Sequence, residues 1–265
     1  MKSKLSEDMK HLFQSWGGVE NRIRKAEKVF IFLDYDGTLT PIMDNPEAAV
    51  LPEKARQILR ALATHPRYKL AVISGRALDD VKKRVVVDNA YYAGNHGLEV
   101  TGPNLVWTHP EAEKQVPTIG SVLRELQREI GEIRGIILED KRLTLSVHYR
   151  LVREEELKRV KKAVKLVAQR HNLAVATGKM VLNVKPMIQW DKGKAAEWLL
   201  KLAGGNVLPI YIGDDETDED AFECLREGIT VLVSERKKRS KAQYYLLNTG
   251  EVSELLDRLT RIDSA

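Results

Sequence analysis

The 265 residues carry 43 lysines and arginines against 38 aspartates and glutamates, a net charge of +5, with 43% apolar and 31% charged side chains. That balance supplies a core for one large or two modest domains and fits a soluble protein. A single cysteine, Cys224, excludes an intrachain disulfide and a cysteine-based zinc site, and no apolar stretch approaches the roughly 18 residues of a membrane span.

The first segment, MKSKLSEDMKHLFQSW, spaces Leu5, Met9, Leu12 and Phe13 among charges. This predicts an amphipathic helix without the apolar stretch of a signal peptide, so a cytoplasmic protein is expected. Four apolar runs follow, VFIFL (29–33), KLAVI (69–73), NAYYAG (89–94) and VLPIYIG (207–213), each ending in polar or glycine-rich residues. Helical stretches separate them, at 52–64 with Ala55, Ile58, Leu59 and Leu62 on one face, and at 77–84. Fully apolar strands alternating with helices predict an α/β fold, a doubly wound, mainly parallel, Rossmann-like sheet covered on both faces. Ligands of such sheets bind outside the carboxyl ends of the strands.

The middle of the chain has a different order. A helix is expected at about 111–131, with Val122, Leu123, Leu126 and Ile130 on one face. Two strands follow in GIILEDKRLTLSVHYR (135–150), turning at Glu139-Asp140-Lys141. Next come a charged helix (153–171) and a hairpin in LAVATGKMVLNVKP (173–186), turning at Gly178. The order α-β-β-α-β-β predicts an α+β cap inserted at 109–186 into a core formed by 1–108 and 187–265. Hinges near 109 and 186 are expected to let the cap close over a bound substrate. The basic run ERKKRSK (235–241) has no aromatic residue interleaved, so a solvated loop is expected there rather than a nucleic-acid or membrane site. A monomer is the expected state.

The chemistry gathers at the strand ends. Asp34 and Asp36 follow VFIFL, and residues two apart in an extended segment face the same way. Gly37 lets the backbone turn close to a ligand and Thr38 adds a hydroxyl, although Asp and Gly also make ordinary turns. VISGR brings Ser74 and Arg76, and YAGNHGLE brings Asn95, His96 and Glu99; Thr38, Arg76, Asn95, His96 and Glu99 are expected at the substrate, although His96 reads equally as a ligand or as a structural histidine. DDETDEDAF puts six acids into Asp214–Asp220. A helix dipole accounts for one or two of them, at well under ~1 kcal/mol each. A hard divalent cation such as Mg²⁺ accounts for more, with Asp214 and Asp218 facing it and Glu219 and Asp220 solvated. Lys192 opens a predicted helix, where its charge opposes the dipole. Together these groups suit phosphoryl transfer. Asp34 attacks phosphorus to give an aspartyl-phosphate, and Asp36 protonates the leaving alkoxide and then activates water. Lys192 and Mg²⁺ offset charge, while Ser74 and Thr38 donate hydrogen bonds.

In order along the chain, DYDGT, ISGR, the lysine of DKGKA and GDDETDED resemble the motifs of the haloacid dehalogenase superfamily of aspartate-nucleophile phosphatases. The resemblance implies Asp34 as nucleophile, Asp36 as general acid/base, Ser74 on the phosphoryl group and Lys192 as the neutralising lysine. It also implies a Mg²⁺ ion held by Asp34, the Asp36 backbone carbonyl, Asp214 and Asp218. Over nearly its whole length the chain further resembles trehalose-6-phosphate phosphatases, in FLDYDGTLTPI, AVISGR, YYAGNHGLE, LEDKRLTLSVHYR, WDKGKAAEWLL and YIGDDETDEDAF. The implied reaction is hydrolysis of trehalose 6-phosphate, and the implied partner a small phosphosugar. Where that family commonly reads G-K-x-V-x-E-x-R-P, this chain reads GKMVLNVKP, with Asn183 and Lys185 in the glutamate and arginine places. Asn183 keeps a carbonyl acceptor and loses the charge, which leaves another sugar phosphate as the alternative substrate. His148, Arg150, Lys179 and Asn183 are the expected sugar contacts. A phosphomutase, a receiver-type phospho-acceptor domain and a silent sugar-phosphate binder are the competing readings.

Overall fold

The computed structural model describes residues 9–43, 46–178, 180–236 and 238–262. In chain order the first part forms β1 (Lys10–His11), α1 (Trp16–Lys25), β2 (Lys28–Leu33), α2 (Glu53–Thr64), β3 (Tyr68–Ile73), α3 (Leu78–Val85), β4 (Tyr91–Gly94), β5 (Glu99–Gly102) and β6 (Leu105–Thr108). The middle forms α4 (Pro110–Lys114), α5 (Val116–Ile130), β7 (Ile137–Asp140), β8 (Leu145–His148), α6 (Glu154–Arg170), β9 (Leu173–Gly178) and β10 (Val181–Pro186). The last part forms α7 (Lys192–Ala203), β11 (Val207–Gly213), α8 (Glu219–Cys224), β12 (Ile229–Val233), β13 (Tyr244–Leu246) and α9 (Thr249–Arg261). Two compact units result, Met1–Trp107 with Trp190–Ala265, and Thr108–Gln189.

Among the described residues the first unit has a nine-stranded sheet in the order β1-β13-β12-β11-β2-β3-β4-β5-β6. Pairing is parallel from β1 to β4 and antiparallel between β4 and β5. The apolar run of β2 is central because both of its faces are covered. Val29, Ile31 and Leu33 pack with α2 and α9 through Leu59, Leu62, Leu255 and Leu259. Phe30 and Phe32 pack the other way with Ala196 and Leu199 of α7 and Phe222 of α8. Each such side chain contributes roughly 1.5–3 kcal/mol on burial. The strand after β2 in the chain, β3, lies on one side of it and β11 on the other. The order therefore reverses at β2, and the crevice at the carboxyl ends of β2 and β11 is the place for a ligand.

The N-terminal helix expectation is corrected. Within the described residues, Lys10–His11 pairs with Tyr244–Tyr245, Leu12–Ser15 make a 3-10 turn, and the helix begins only at Trp16. The open edge of β13 offers backbone partners that outweigh local helical periodicity; residues 1–8 lie outside the described part. No helix among the described residues is long and apolar enough to cross a membrane.

The second unit is an antiparallel sheet, β7-β8-β10-β9. Leu145, Val147, Leu182 and Val184 on one face pack with Val122 and Leu126 of α5 and Val160 and Val164 of α6. The register sets Glu139, Ser146 and Asn183 side by side on the opposite face, with His148 two residues along. The first turn falls later than the Glu139-Asp140-Lys141 expected. Glu139 and Asp140 still pair in β7, and Arg142 takes φ +66° with its N–H donated to Asp140 Oδ1 at 2.8 Å. A side chain that bonds the backbone two residues on makes that turn locally favourable. The second hairpin turns between Gly178 and Val181, which pair with each other, so Gly178 is the last strand residue.

Candidate active site

Asp34 leaves β2 with its N–H donated to Ile212 O of β11 at 2.9 Å, which fixes it at the switch point. Its carboxylate meets Lys192, the first residue of α7, whose Nζ lies 2.9 Å from Asp34 Oδ1 and 2.9 Å from Asp218 Oδ1. All three side chains are buried. Asp191 caps α7 by accepting the Lys194 N–H at 2.8 Å. Lys192 is thereby left to face the carboxylates. Burial opposes its charge, but Asp218 and Asp34 outweigh burial and hold the ammonium well above its ordinary pKa. Burial, reinforced by Asp218, Asp214 and Asp215, pushes the Asp34 carboxyl well above the usual carboxylate range against the pull of Lys192.

The acidic loop is more than a ligand set. Asp218 Oδ2 accepts the backbone N–H groups of Asp214 and Asp215 at 3.0 and 3.1 Å. Its Oδ1 accepts Lys192 Nζ and the Tyr211 hydroxyl, the latter at 2.8 Å. Four donors thus occupy one carboxylate. Asp215 caps the short turn ahead of α8 through the Thr217 N–H and hydroxyl at 2.8 and 2.6 Å. Part of the acid cluster is thus explained by local backbone capping. Glu219, expected to be solvated, accepts the Lys241 N–H at 2.7 Å, while Asp220 is exposed. The basic run folds onto this acidic loop, with Lys238 Nζ 2.6 Å from the Asp214 carbonyl. Tyr211 carried no polar signal in the sequence because it lies inside an apolar strand. Burial and Asp218 raise its pKa well above the ordinary value and keep it a donor.

These residues fit a divalent cation. Oxygens of Asp34, Asp214 and Asp218, all buried, lie within 4.8 Å of one another. Gly37 has φ +87°, and a Cβ there would fall 2.3 Å from Asp214 Oδ2, so only glycine lets the Asp214 carboxylate lie against this loop. Hard oxygen donors of this kind suit Mg²⁺.

Asp36 is held apart from this cluster. Arg76 donates Nε to Asp36 Oδ2 and Nη2 to Oδ1, both at 2.7 Å, and Nη1 to Asp80 Oδ2 at 2.8 Å. Arg76 was expected at the substrate; the fold engages its guanidinium with two aspartates. The same-side geometry expected of Asp34 and Asp36 is corrected too, because the strand ends at Leu33 and Asp36 instead bridges Thr40 beyond it.

Ser74 is buried at the end of β3, and its Oγ accepts the Arg76 N–H at 3.1 Å, leaving the hydroxyl proton to donate. Thr38 Oγ1 is buried with no hydrogen-bond partner among the described residues. Asn95 and Glu99, expected at the substrate, brace the loop. Asn95 Nδ2 donates to Glu99 Oε1 at 2.7 Å, and the same oxygen accepts the Leu78 N–H at 3.0 Å. The His96 ring packs on Gly75, where a Cβ would lie 2.7 Å from its Cε1. The other expected sugar contacts belong to the second unit. His148 Nε2 lies 2.8 Å from Glu139 Oε2, and Ser146 donates to Asn183 Oδ1 at 2.6 Å. Arg150 follows β8 in the turn, and Lys179 lies outside the described residues. A surface hollow of about 500 Å³ lined by Lys25, Val207 and Pro209 lies at the opposite, amino ends of β2 and β11, away from these groups.

A family model described as Trehalose-phosphatase matches residues 32–249, from the end of β2 to the start of α9. The chain belongs to the trehalose-phosphatase family. A trehalose 6-phosphate phosphatase of Zea mays is 41% identical over 256 residues, covering 89% of this chain and 70% of that protein. Members so named are phosphoric monoester hydrolases. The trehalose-phosphatase fold is matched by the C-terminal domain of Candida albicans trehalose-6-phosphate phosphatase at TM-score 0.79 and 22% identity, over 96% of this chain and 99% of that one. A trehalose-6-phosphate phosphatase related protein matches at TM-score 0.80 and 20% identity, over 89% and 98%.

Proposed function

We propose that this trehalose-phosphatase family member hydrolyses trehalose 6-phosphate to trehalose and phosphate through an aspartyl-phosphate, with Mg²⁺. The observation that carries the reading is the sorting of two neighbouring carboxylates. Lys192 holds Asp34 in a buried cluster of acids, and Arg76 holds Asp36 outside it. In the first half-reaction a bond forms between an Asp34 oxygen and phosphorus, while the bond from phosphorus to the sugar oxygen breaks and Asp36 gives that oxygen a proton. In the second, Asp36 takes a proton from water, the water oxygen bonds to phosphorus, and Asp34 leaves as carboxylate. Lys192, the Ser74 hydroxyl and the Thr38 hydroxyl face the charge that spreads over the phosphoryl oxygens. Asp34, the Asp36 carbonyl, Asp214 and Asp218 would hold a Mg²⁺ ion, which would supply further neutralisation and favour the ionised form of Asp34.

The polar face of the second unit, with His148, Arg150 and Asn183, is assigned to sugar selection, and this unit to the role of a cap. The proposal includes a cytoplasmic monomer acting on a small phosphosugar. The lone cysteine, and strand-end acids that would repel a polyanion, support that part. The test is phosphate release from trehalose 6-phosphate, glucose 6-phosphate and other disaccharide phosphates, with Mg²⁺ and with EDTA. Preference for trehalose 6-phosphate, abolished by EDTA and restored by Mg²⁺, is expected. An equal or higher rate on another sugar phosphate assigns that substrate instead, and EDTA-resistant release removes the metal.

A further inference from the structure

We propose that Arg76 is a positioning residue for proton transfer: it fixes the orientation of the Asp36 carboxylate, and is itself aimed by an ion-pair chain through Asp80 and Arg84. The inference rests on the reading of Asp36 as the group that protonates the departing sugar oxygen. Asp34 and Asp36 are chemically identical side chains two residues apart, so any division of labour between them has to come from their partners. For Asp34 that partner is a point charge, Lys192. For Asp36 it is a planar fork. Nε and Nη2 of Arg76 reach both Asp36 oxygens at 2.7 Å, an arrangement that sets the plane of the carboxylate as well as its place.

The fork is braced from every side. Its third nitrogen, Nη1, donates to Asp80 Oδ2 at 2.8 Å, and the other Asp80 oxygen accepts Arg84 Nε at 2.8 Å one turn further along α3. Arg84 continues to Glu47 Oε2 at 2.7 Å and to the backbone carbonyls of Glu47 and Ala49 at 3.1 and 3.2 Å. The guanidinium carbon lies 5.3 Å from the centre of the Tyr35 ring, and the Tyr35 hydroxyl is tied to Ala49 O at 2.9 Å. The Arg76 carbonyl accepts the Asn95 N–H at 2.7 Å. A side chain only 9% exposed and held at both ends is suited to positioning a neighbour. Lysine at this position would keep the charge and lose the two-point grip.

The test uses two substrates that differ in their need for a proton. A sugar alkoxide must be protonated as it leaves; p-nitrophenolate need not be. With a covalent intermediate, kcat/KM reports the steps up to departure of that group, so it isolates the first half-reaction. In the full-length protein, R76K is expected to lower kcat/KM for trehalose 6-phosphate by about 10–100-fold and that for p-nitrophenyl phosphate far less. D80N, which loosens the fork from its outer end, is expected to give a smaller split in the same direction, and serves as the test where R76K does not fold. D36N is expected to give the largest split. Equal losses on both substrates in R76K and D80N, with the split intact in D36N, would overturn the positioning role. The absence of a split in D36N would overturn the assignment of Asp36, and the inference with it.

Discussion

In the first unit the polar side chains at the strand ends are mostly buried and take their partners from other elements of the fold. Lys192 reaches back to Asp34 from the start of α7, Tyr211 of β11 holds Asp218, and Arg76 crosses from the end of β3 to Asp36. In the second unit the polar groups pair across neighbouring strands on the face left uncovered by α5 and α6, as Glu139 does with His148 and Ser146 with Asn183. In the first arrangement Asp34, Lys192 and Tyr211 carry pKa values well above their ordinary ones, as suits a preorganised site. The second is a half-exposed surface whose side chains can change without leaving a buried charge unpaired. The two regions therefore differ in their tolerance of substitution.

The widest gap between the two regions should appear on removing the carboxylate proposed to attack. Asp34→Asn is expected to lower phosphate release by at least about 10⁴-fold while phosphosugar binding, measured calorimetrically, survives. Unchanged release would end the nucleophile assignment. Lys192→Met strands two buried carboxylates, and urea unfolding of the variant should show a loss of about 3–5 kcal/mol. A fully stable variant would mean the cluster is less tightly coupled than its 2.9 Å contacts indicate.

A smaller effect concerns pH. Burial alone would raise the Asp215 carboxyl, but Lys192 and the Thr217 hydrogen bonds outweigh burial and bring it down to about 2. Because the native value lies below the unfolded value of 3.8, its stabilisation is complete above about pH 4. It is lost as pH falls toward 2, by about 2 kcal/mol. Asp215→Asn should flatten that limb of the stability curve measured in urea; an unchanged limb contradicts the assignment. The smallest change is expected in the second unit. Asn183→Ala should shift KM for the sugar phosphate by about 5–10-fold, in line with one lost hydrogen bond, with kcat and stability nearly intact. A collapse of kcat in that variant would break the division between the units.

The sequence by itself determined the α/β architecture, because runs such as Val29–Leu33 are too apolar for anything but a strand covered on both faces, and helical periodicity fills the gaps between them. It also marked Asp34, Asp36, Ser74, Lys192 and the acids from Asp214 to Asp220, since charges and hydroxyls at the ends of such strands are conspicuous. The tertiary structure alone decided what each group faces. Arg76 reads as a substrate contact until the fold brings Asp36 and Asp80 against it, and Tyr211 reads as core until its hydroxyl meets Asp218. Lys10–His11 becomes a strand only because β13 leaves an open edge, a pairing across more than 230 residues. Local pattern reports the periodicity of burial, a property of neighbouring residues. Partnership between buried charges depends on strand order and register, which bring distant residues together and leave no local mark.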